Sequence, residues 1–150
     1  MNASSLISRL KPTPRFLSKS ASVLVMLYAF GHSRSYPWTP VVGPSQHELL
    51  RQLQNNTFDV LGVHRSYWDF YVGFGIDVSI VHFTIALTLW LLADVLEVSP
   101  KKMALILGLF SLSYLAGSVV MWRYFFLPPF MLSSLIVLLT LTAAIKLNWK

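Results

Sequence analysis

Two aspartates at the start of one long apolar segment are the residues of this chain best suited to acid–base chemistry. The segment FYVGFGIDVSIVHFTIALTLWLLA, residues 70–93, contains only two ionisable side chains, Asp77 and His82, and Asp69 directly precedes it. An ionised carboxylate at bilayer depth is costly unless it faces protein or water. Ionisable residues inside membrane spans are therefore candidates for function, and Asp77 is the first candidate here.

The two carboxyl groups are expected to meet different surroundings. Asp69, at the membrane boundary, would stay ionised and act as a base, whereas the deeper and poorly solvated Asp77 would hold a proton and act as an acid. Such a pair suits the opening of an epoxide, the isomerisation of an alkene or a cyclisation on a lipophilic substrate. The first functional hypothesis is therefore a membrane-embedded enzyme that applies acid–base chemistry to a lipophilic small molecule.

Helical periodicity separates Asp77 from His82. At about 100° per residue, one side of the helix carries a stripe of polar and small residues that we expect to face the protein interior. The stripe consists of Asp69, Gly73, Asp77, Thr84 and Thr88. His82 falls on another side with Gly75, Ser79 and Ala86, which suits close helix packing. For His82 we therefore weigh an interhelical hydrogen bond ahead of a role at the site.

Hydropathy predicts the elements that position these residues. Three segments reach the roughly 20 apolar residues of a spanning helix: 70–93, 103–126 and 127–147. A fourth segment, 16–32, is shorter, but its Lys19 can extend to the headgroups; a cleaved signal peptide is the alternative. Because the last three segments are joined by short links, we predict an all-α, antiparallel four-helix membrane bundle that forms a single domain.

The one long connection of this topology, residues 33–69, is expected on the outer side. Within it, SQHELLRQLQ predicts a short amphipathic helix, with Ser45 and Glu48 at the spacing of a capping box. Pro128 and Pro129 fit the first turn of the last helix.

Charge places both termini in the cytoplasm. Of the 12 Lys and Arg residues, the outer side would carry only Arg34, Arg51, Arg65 and Arg123. The membrane would be the plasma membrane if the protein is bacterial and the endoplasmic reticulum if it is fungal. Hydrophobic residues make up 55% of the chain, and no basic cluster is interleaved with exposed aromatics, which argues against nucleic-acid binding.

The topology gathers more polar residues at the outer boundary. His32 ends the first span, Asp69 begins the second and Arg123 ends the third, so these three are expected at one level. Together with Asp77 they form the candidate catalytic set, although a purely structural Asp69–Arg123 ion pair is an equal alternative. The candidate substrate-binding residues are the surrounding aromatics and the second histidine: Trp38, Tyr67, Trp68, Tyr71, Tyr124 and His82.

We expect no metal and no other cofactor. The histidines at positions 32, 47, 64 and 82 show no paired ligand spacing, and the chain has no cysteine. The expected partners are the lipid bilayer and a lipophilic substrate, with a homo-oligomer or a larger membrane complex left open. The second functional hypothesis is a non-catalytic membrane subunit or assembly partner. It would dock through the aromatic side chains named above, which we call the aromatic rim.

Several pieces of the sequence resemble a family of small four-span membrane proteins known mainly from bacterial genomes. They are FGH at 30–32, PWTP at 37–40, FDVLG at 58–62, RSYWDFYVGFG at 65–75 and WRYFF at 122–126. The resemblance implies the fold and topology and leaves the activity open. In size and topology the chain is also similar to small membrane epoxide hydrolase/cyclases of fungal polyketide pathways, which is an analogy only. The motif residues of the four-span family, not of these enzymes, correspond here to His32, Trp38, Asp59, Tyr67, Trp68, Asp69, Tyr71 and Arg123, whereas Asp77 and His82 lie outside the motifs.

Overall fold

The computed structural model of the protein describes residues 12–35 and 41–148. Within these residues, five α-helices and one two-stranded hairpin follow one another. In order they are α1 (Pro14–Ser35), α2 (Pro44–Asn55), β1 (Thr57–Val60), β2 (Val63–Ser66), α3 (Tyr67–Val95), α4 (Pro100–Tyr124) and α5 (Leu127–Asn148). Helices therefore dominate the described chain, as the hydropathy pattern predicts. The hairpin is not predicted by the sequence.

Three of the described helices, α3, α4 and α5, are long and apolar enough to cross a membrane. The shortest of them has 22 residues, which corresponds to about 33 Å and exceeds the hydrocarbon thickness of about 30 Å. Helix α1 also has 22 residues. It includes the charged residues Arg15, Lys19 and Arg34 and does not reach the same hydropathy.

Local sequence signals set the ends of these helices. Pro128 and Pro129 lie in the first turn of α5, which confirms the prediction. Proline suits this position because the backbone N–H group that it lacks would have no intrahelical partner there. Helix α4 begins in the same way at Pro100, directly after its N-cap residue Ser99. Helix α3 begins at Tyr67, before the predicted residue 70, so Asp69 is part of its first turn.

The hairpin occupies the second half of the connection between α1 and α3. Its antiparallel strands pair Thr57 with Ser66 and Val60 with Val63. The two turn residues both have positive φ, 50° at Leu61 and 80° at Gly62, as in the tightest hairpin turns. Glycine adopts this conformation freely, whereas a leucine there costs on the order of 1 kcal/mol. Because leucine is not a turn signal, the sequence predicts only a loop at this place.

The described residues form two compact units, and the division falls within α1 and within α3. We call residues 12–28 and 84–148 the bundle unit, and residues 29–35 and 41–83 the loop unit. One hydrophobic core fills the bundle unit, and all four of its helices contribute to it. The buried core residues are Leu17, Ala21, Val25, Ala86, Leu89, Leu96, Ala104, Leu107, Tyr114, Ile136, Ala143, Ala144 and Leu147.

Buried serines join α1 to α3 in the bundle unit. Ser18 Oγ donates to the carbonyl oxygen of Leu89 at 3.1 Å, and Ser22 Oγ donates to that of Ala86 at 2.7 Å. The partner number falls as the serine number rises, so these parts of the two helices are antiparallel. Small side chains allow the close approach, and the hydroxyl groups find acceptors in a place without water.

Candidate functional site

Asp69 belongs to a capping box at the start of α3. The backbone N–H of Ser66 donates to Asp69 Oδ2 at 2.8 Å, and the backbone N–H of Asp69 donates to Ser66 Oγ at 3.1 Å. This reciprocal pair satisfies an N–H group that the start of a helix leaves without an intrahelical partner. The Asp69 carboxylate therefore has a structural task, whether or not it also has a chemical one.

The capping box that the sequence predicts at Ser45 and Glu48 is wrong. Helix α2 begins after Gly43 without any side-chain cap. Glu48 instead accepts hydrogen bonds from Arg51 at 2.7 and 2.8 Å and from Gln52 at 2.9 Å. These donors stabilise the ionised form and lower the pKa of the Glu48 carboxyl to about 2. Spacing alone does not distinguish the two boxes, because both sites have a hydroxyl residue three positions before an acid.

Asp77 lies on an exposed side of α3, and so does most of the stripe that the sequence predicts to face inward. Asp69, Gly73, Asp77 and Thr84 are all exposed, so the prediction of an interior stripe is wrong. In the bundle unit a different side of α3 faces the core, and the contacts with α1 explain why. There the serines of α1 reach the backbone of α3 over Ala86, whose small side chain is fully buried.

No described residue forms a hydrogen bond or an ion pair with the Asp77 carboxylate. The space beside it is open, because a Cβ added at Gly73, one turn earlier, would meet no atom within 4 Å. The polar Thr88, further along the helix, is satisfied by its own helix through a 2.8 Å bond to Thr84 O. Asp77 is thus an acid on the open surface of an apolar helix.

His32 and His82 belong to a polar cluster of the loop unit. His32 Nε2 donates to the carbonyl oxygen of Gly75 at 3.1 Å, and Ser79 Oγ donates to the same oxygen at 3.1 Å. His82 Nδ1 donates to Val78 O at 2.7 Å. Because a carbonyl only accepts, these bonds place a proton on Nε2 of His32 and on Nδ1 of His82. The cluster therefore links α1 to the side of α3 on which the sequence places His82.

Part of the predicted aromatic rim is assembled where the hairpin meets α3. The Tyr67 ring lies 4.9 Å from that of Phe58, and the Phe58 ring lies 5.3 Å from that of Phe70. The rings of Trp68 and Tyr71 are 5.8 Å apart. The contacts of Phe58 hold the hairpin against the first turns of α3, and Tyr67 and Tyr71 stay more than half exposed.

The remaining predicted site residues lie elsewhere. Arg123 and Tyr124 end α4 in the bundle unit, and both are exposed. Their proximity to the rim, including the Asp69–Arg123 ion pair, stays a prediction. Trp38 lies outside the described residues. Among the residues that the structure does describe, no group of three or more His, Asp and Glu side chains is placed to hold a metal ion.

A charged cluster that the sequence analysis misses lies in the bundle unit. Arg15 and Lys19 approach the same oxygen of Asp94, Oδ1, at 2.6 and 3.0 Å. Lys19 Nζ also lies 4.5 Å from the centre of the Trp90 ring. The prediction that Lys19 extends to the headgroups overlooks this pairing. The sequence does contain a sign of this cluster. Arg15 and Lys19 lie at i,i+4 on one face of α1, and Trp90 and Asp94 lie at i,i+4 on one face of α3.

No protein family, no curated protein and no solved structure matches this chain. What the chain can do is therefore inferred from its own residues.

Proposed function

We propose that this chain is a multi-pass membrane protein that serves as a non-catalytic subunit and docks a partner helix on the Asp77 side of α3. The exposed Asp77 carboxylate carries the proposal. Ionisable side chains within membrane spans face protein or water rather than lipid. No described residue pairs with Asp77, and we infer that a group of another protein covers it.

Charge defines the partner. A Lys, Arg or His side chain in a span of another protein would neutralise Asp77, and removing either member of such a pair leaves a costly unpaired charge. The open space at Gly73 lets a second helix approach closely. Exposed Phe74, at 66%, adds aromatic contact area one turn from the acid.

The acid–base enzyme has less support and stays a prediction. Asp69 is engaged by Ser66 at the helix start. Asp69 and Asp77 lie about 12 Å apart along the helix axis, too far for both to act on one bond. Both are exposed, so neither has the dry environment that would divide them into an acid and a base.

We place the chain in the membrane as a four-span bundle with both termini in the cytoplasm. Helix α1 is the span that needs argument, because of its charges. In its favour, it contributes Leu17, Ala21 and Val25 to the core of the bundle unit. The pairing of Arg15 and Lys19 with Asp94 lowers the cost of having these cations near the boundary. The long connection with its exposed helix α2 would then lie outside, and the resemblance to small four-span proteins agrees with this arrangement.

Cysteine accessibility tests the topology in this cysteine-free chain. Ser45→Cys lies in α2 and should react with an impermeant thiol reagent from the non-cytoplasmic side. Ser99→Cys lies between α3 and α4 and should react only after the membrane is permeabilised. The reverse pattern would invert the bundle, and labelling of both from one side would contradict the span count.

Site-specific photocross-linking tests the docking side. A photoreactive phenylalanine replaces Phe74, one turn from Asp77, in the full chain within its native membrane. The matched control carries the same group at Leu112 of α4, which is similarly exposed at 62%. We expect a discrete protein adduct from position 74 and none from position 112. Mass spectrometry of the adduct should identify a span with a basic or hydrogen-bond-donating side chain.

Substitutions of Asp77 connect the adduct to the acid. Asp77→Leu should abolish it, whereas Asp77→Asn, which keeps hydrogen-bonding capacity, should preserve part of it. Neither change should unfold the purified chain, because the side chain is exposed. An adduct that survives Asp77→Leu, or no adduct from position 74, would contradict the docking role and return the enzyme hypothesis to first place.

A further inference from the structure

We propose that the bundle unit binds an anionic phospholipid in a groove formed by α1, α3 and α5. The groove has a volume of about 360 Å³, and Lys19 is the charged residue of its lining. Its apolar lining consists of Phe16, Val23, Leu24, Trp90 and Leu139. This site is independent of Asp77, which belongs to the loop unit.

The apolar part of the groove matches one acyl chain. From Phe16 to Leu24 the lining follows α1 over about 12 Å, and one leaflet contributes about 15 Å of hydrocarbon thickness. Phe16 and Val23 are 61% and 48% exposed, so a chain can enter sideways from the bilayer. An acyl chain lying here would stay within one leaflet, with its headgroup towards the start of α1, beside Arg15 and Lys19.

The charges at that end favour a phosphate. Arg15 and Lys19 share a single oxygen of Asp94, so two cations face one anion and one positive charge is left over. The Arg15 side chain is 65% exposed and retains N–H donors that a phosphate can engage in pairs. The Trp90 ring, which also lines the groove, lies 4.5 Å from the Lys19 ammonium and helps to hold it there.

A third cation adds to the positive potential. Lys146 Nζ donates to the carbonyl oxygen of Pro12 at 2.9 Å, which places it at the start of α1, close in sequence to Arg15. Basic pockets between spanning helices are the recognised binding places of anionic headgroups. The combination of an apolar groove with cations at one end is complementary to a lipid, since a free phosphate would leave the apolar part unused.

Native mass spectrometry of the full chain in detergent tests the site. The probes are phosphatidylglycerol and phosphatidylcholine with identical acyl chains. We expect phosphatidylglycerol to bind more tightly, and Lys19→Gln or Arg15→Gln to weaken it about fivefold each, as the loss of one cation near a lipid surface implies. Equal retention of the two lipids by the unaltered protein would overturn the proposal.

Three controls separate this site from other causes. Lys102→Gln makes the same charge change at an exposed position that lines no part of the groove, and it should leave the preference intact. Val23→Trp fills the groove without changing charge and should weaken both lipids, which keeps the test decisive if Lys19→Gln fails to fold. A loss with Lys102→Gln as large as with Lys19→Gln would indicate general charge attraction. Competition by glycerol 3-phosphate at the concentration of the lipid would indicate a phosphate site without a lipid; either result refutes the proposal.

Discussion

Two aspartates of the same helix have opposite surroundings, and the two units of the protein differ in the same way. Asp94, in the bundle unit, contacts both Arg15 and Lys19, whereas Asp77, in the loop unit, has no partner among the described residues. The bundle unit has a closed core, while the described part of the loop unit buries only Ala29 and Ser66. The bundle unit therefore pairs its aspartate within its own helices, whereas the loop unit leaves Asp77 without a partner among the described residues.

The largest effect should follow a loss of packing in the bundle unit. Leu89→Ala removes a side chain that is fully buried in its core, and we expect it to lower the free energy of unfolding by about 2–5 kcal/mol. Leu91→Ala, two residues further along the same helix, is the matched control because Leu91 is 68% exposed. Thermal or denaturant unfolding in detergent measures both. Equal effects would mean that the core does not distinguish the bundle unit as the structure implies.

A smaller effect should follow the loss of the cap on α3. Ser66→Ala removes the hydroxyl that accepts from the Asp69 N–H, and we expect a loss of about 1 kcal/mol. Hydrogen exchange of the amides in the first turn of α3 should accelerate. Ser45→Ala, at the site where sequence spacing alone predicts a cap, should change nothing in α2. The opposite ranking would restore the prediction made from the sequence.

The spans of the protein could be predicted from the sequence, whereas the buried side of α3 could not. Hydropathy locates α3, α4 and α5 because a spanning helix needs only length and apolar composition, and Pro128 marks the start of α5 directly. The side of α3 that turns inward was not predictable in this way. Its two candidate sides both combine small and polar residues, and the choice depends on the α1 serines that contact Ala86 and Leu89.

Two other features could not be predicted from the sequence, each for a different physical reason. The hairpin turn places Leu61 at positive φ, where sequence rules expect Asn, Asp or Gly. The Asp94 cluster depends on two helices meeting, and a single sequence shows only that each helix has its pair at i,i+4. Of the candidate site, His32 does reach α3, at Gly75, whereas the meeting of Asp69 with Arg123 stays a prediction.

The two aspartates themselves offer the most direct comparison. Asp94→Asn should lower the thermal midpoint of the purified protein by less than Leu89→Ala does, because ion pairs open to solvent are weak. The effect should shrink further in high salt, which screens such pairs. Asp77→Asn should leave the midpoint unchanged in the same assay. A clear loss of stability with Asp77→Asn would mean that Asp77 serves the fold of this chain, and the docking role would lose its basis.

The smallest effect concerns α2, the exposed helix of the loop unit, in which Arg51 and Gln52 both donate hydrogen bonds to Glu48. Because these donors lower the pKa of Glu48 from 4.5 to about 2, their contribution to stability is fully present above pH about 4.5 and is lost as the pH falls through about 2. A carbon-13 NMR titration of the Glu48 side chain should show a midpoint near the lower value. Arg51→Gln should move the midpoint up towards 4.5, because the guanidinium that contributes most to the low pKa of Glu48 is then gone. Lys102→Gln, in the bundle unit, removes one positive charge equally and should not move it. A Glu48 midpoint that is near 4.5 in the unaltered protein, or one that Arg51→Gln does not shift, would mean that α2 lacks even this internal pairing. The bundle unit, in which Asp94 is paired, and the loop unit would then differ more in their internal ion pairing than the structure indicates.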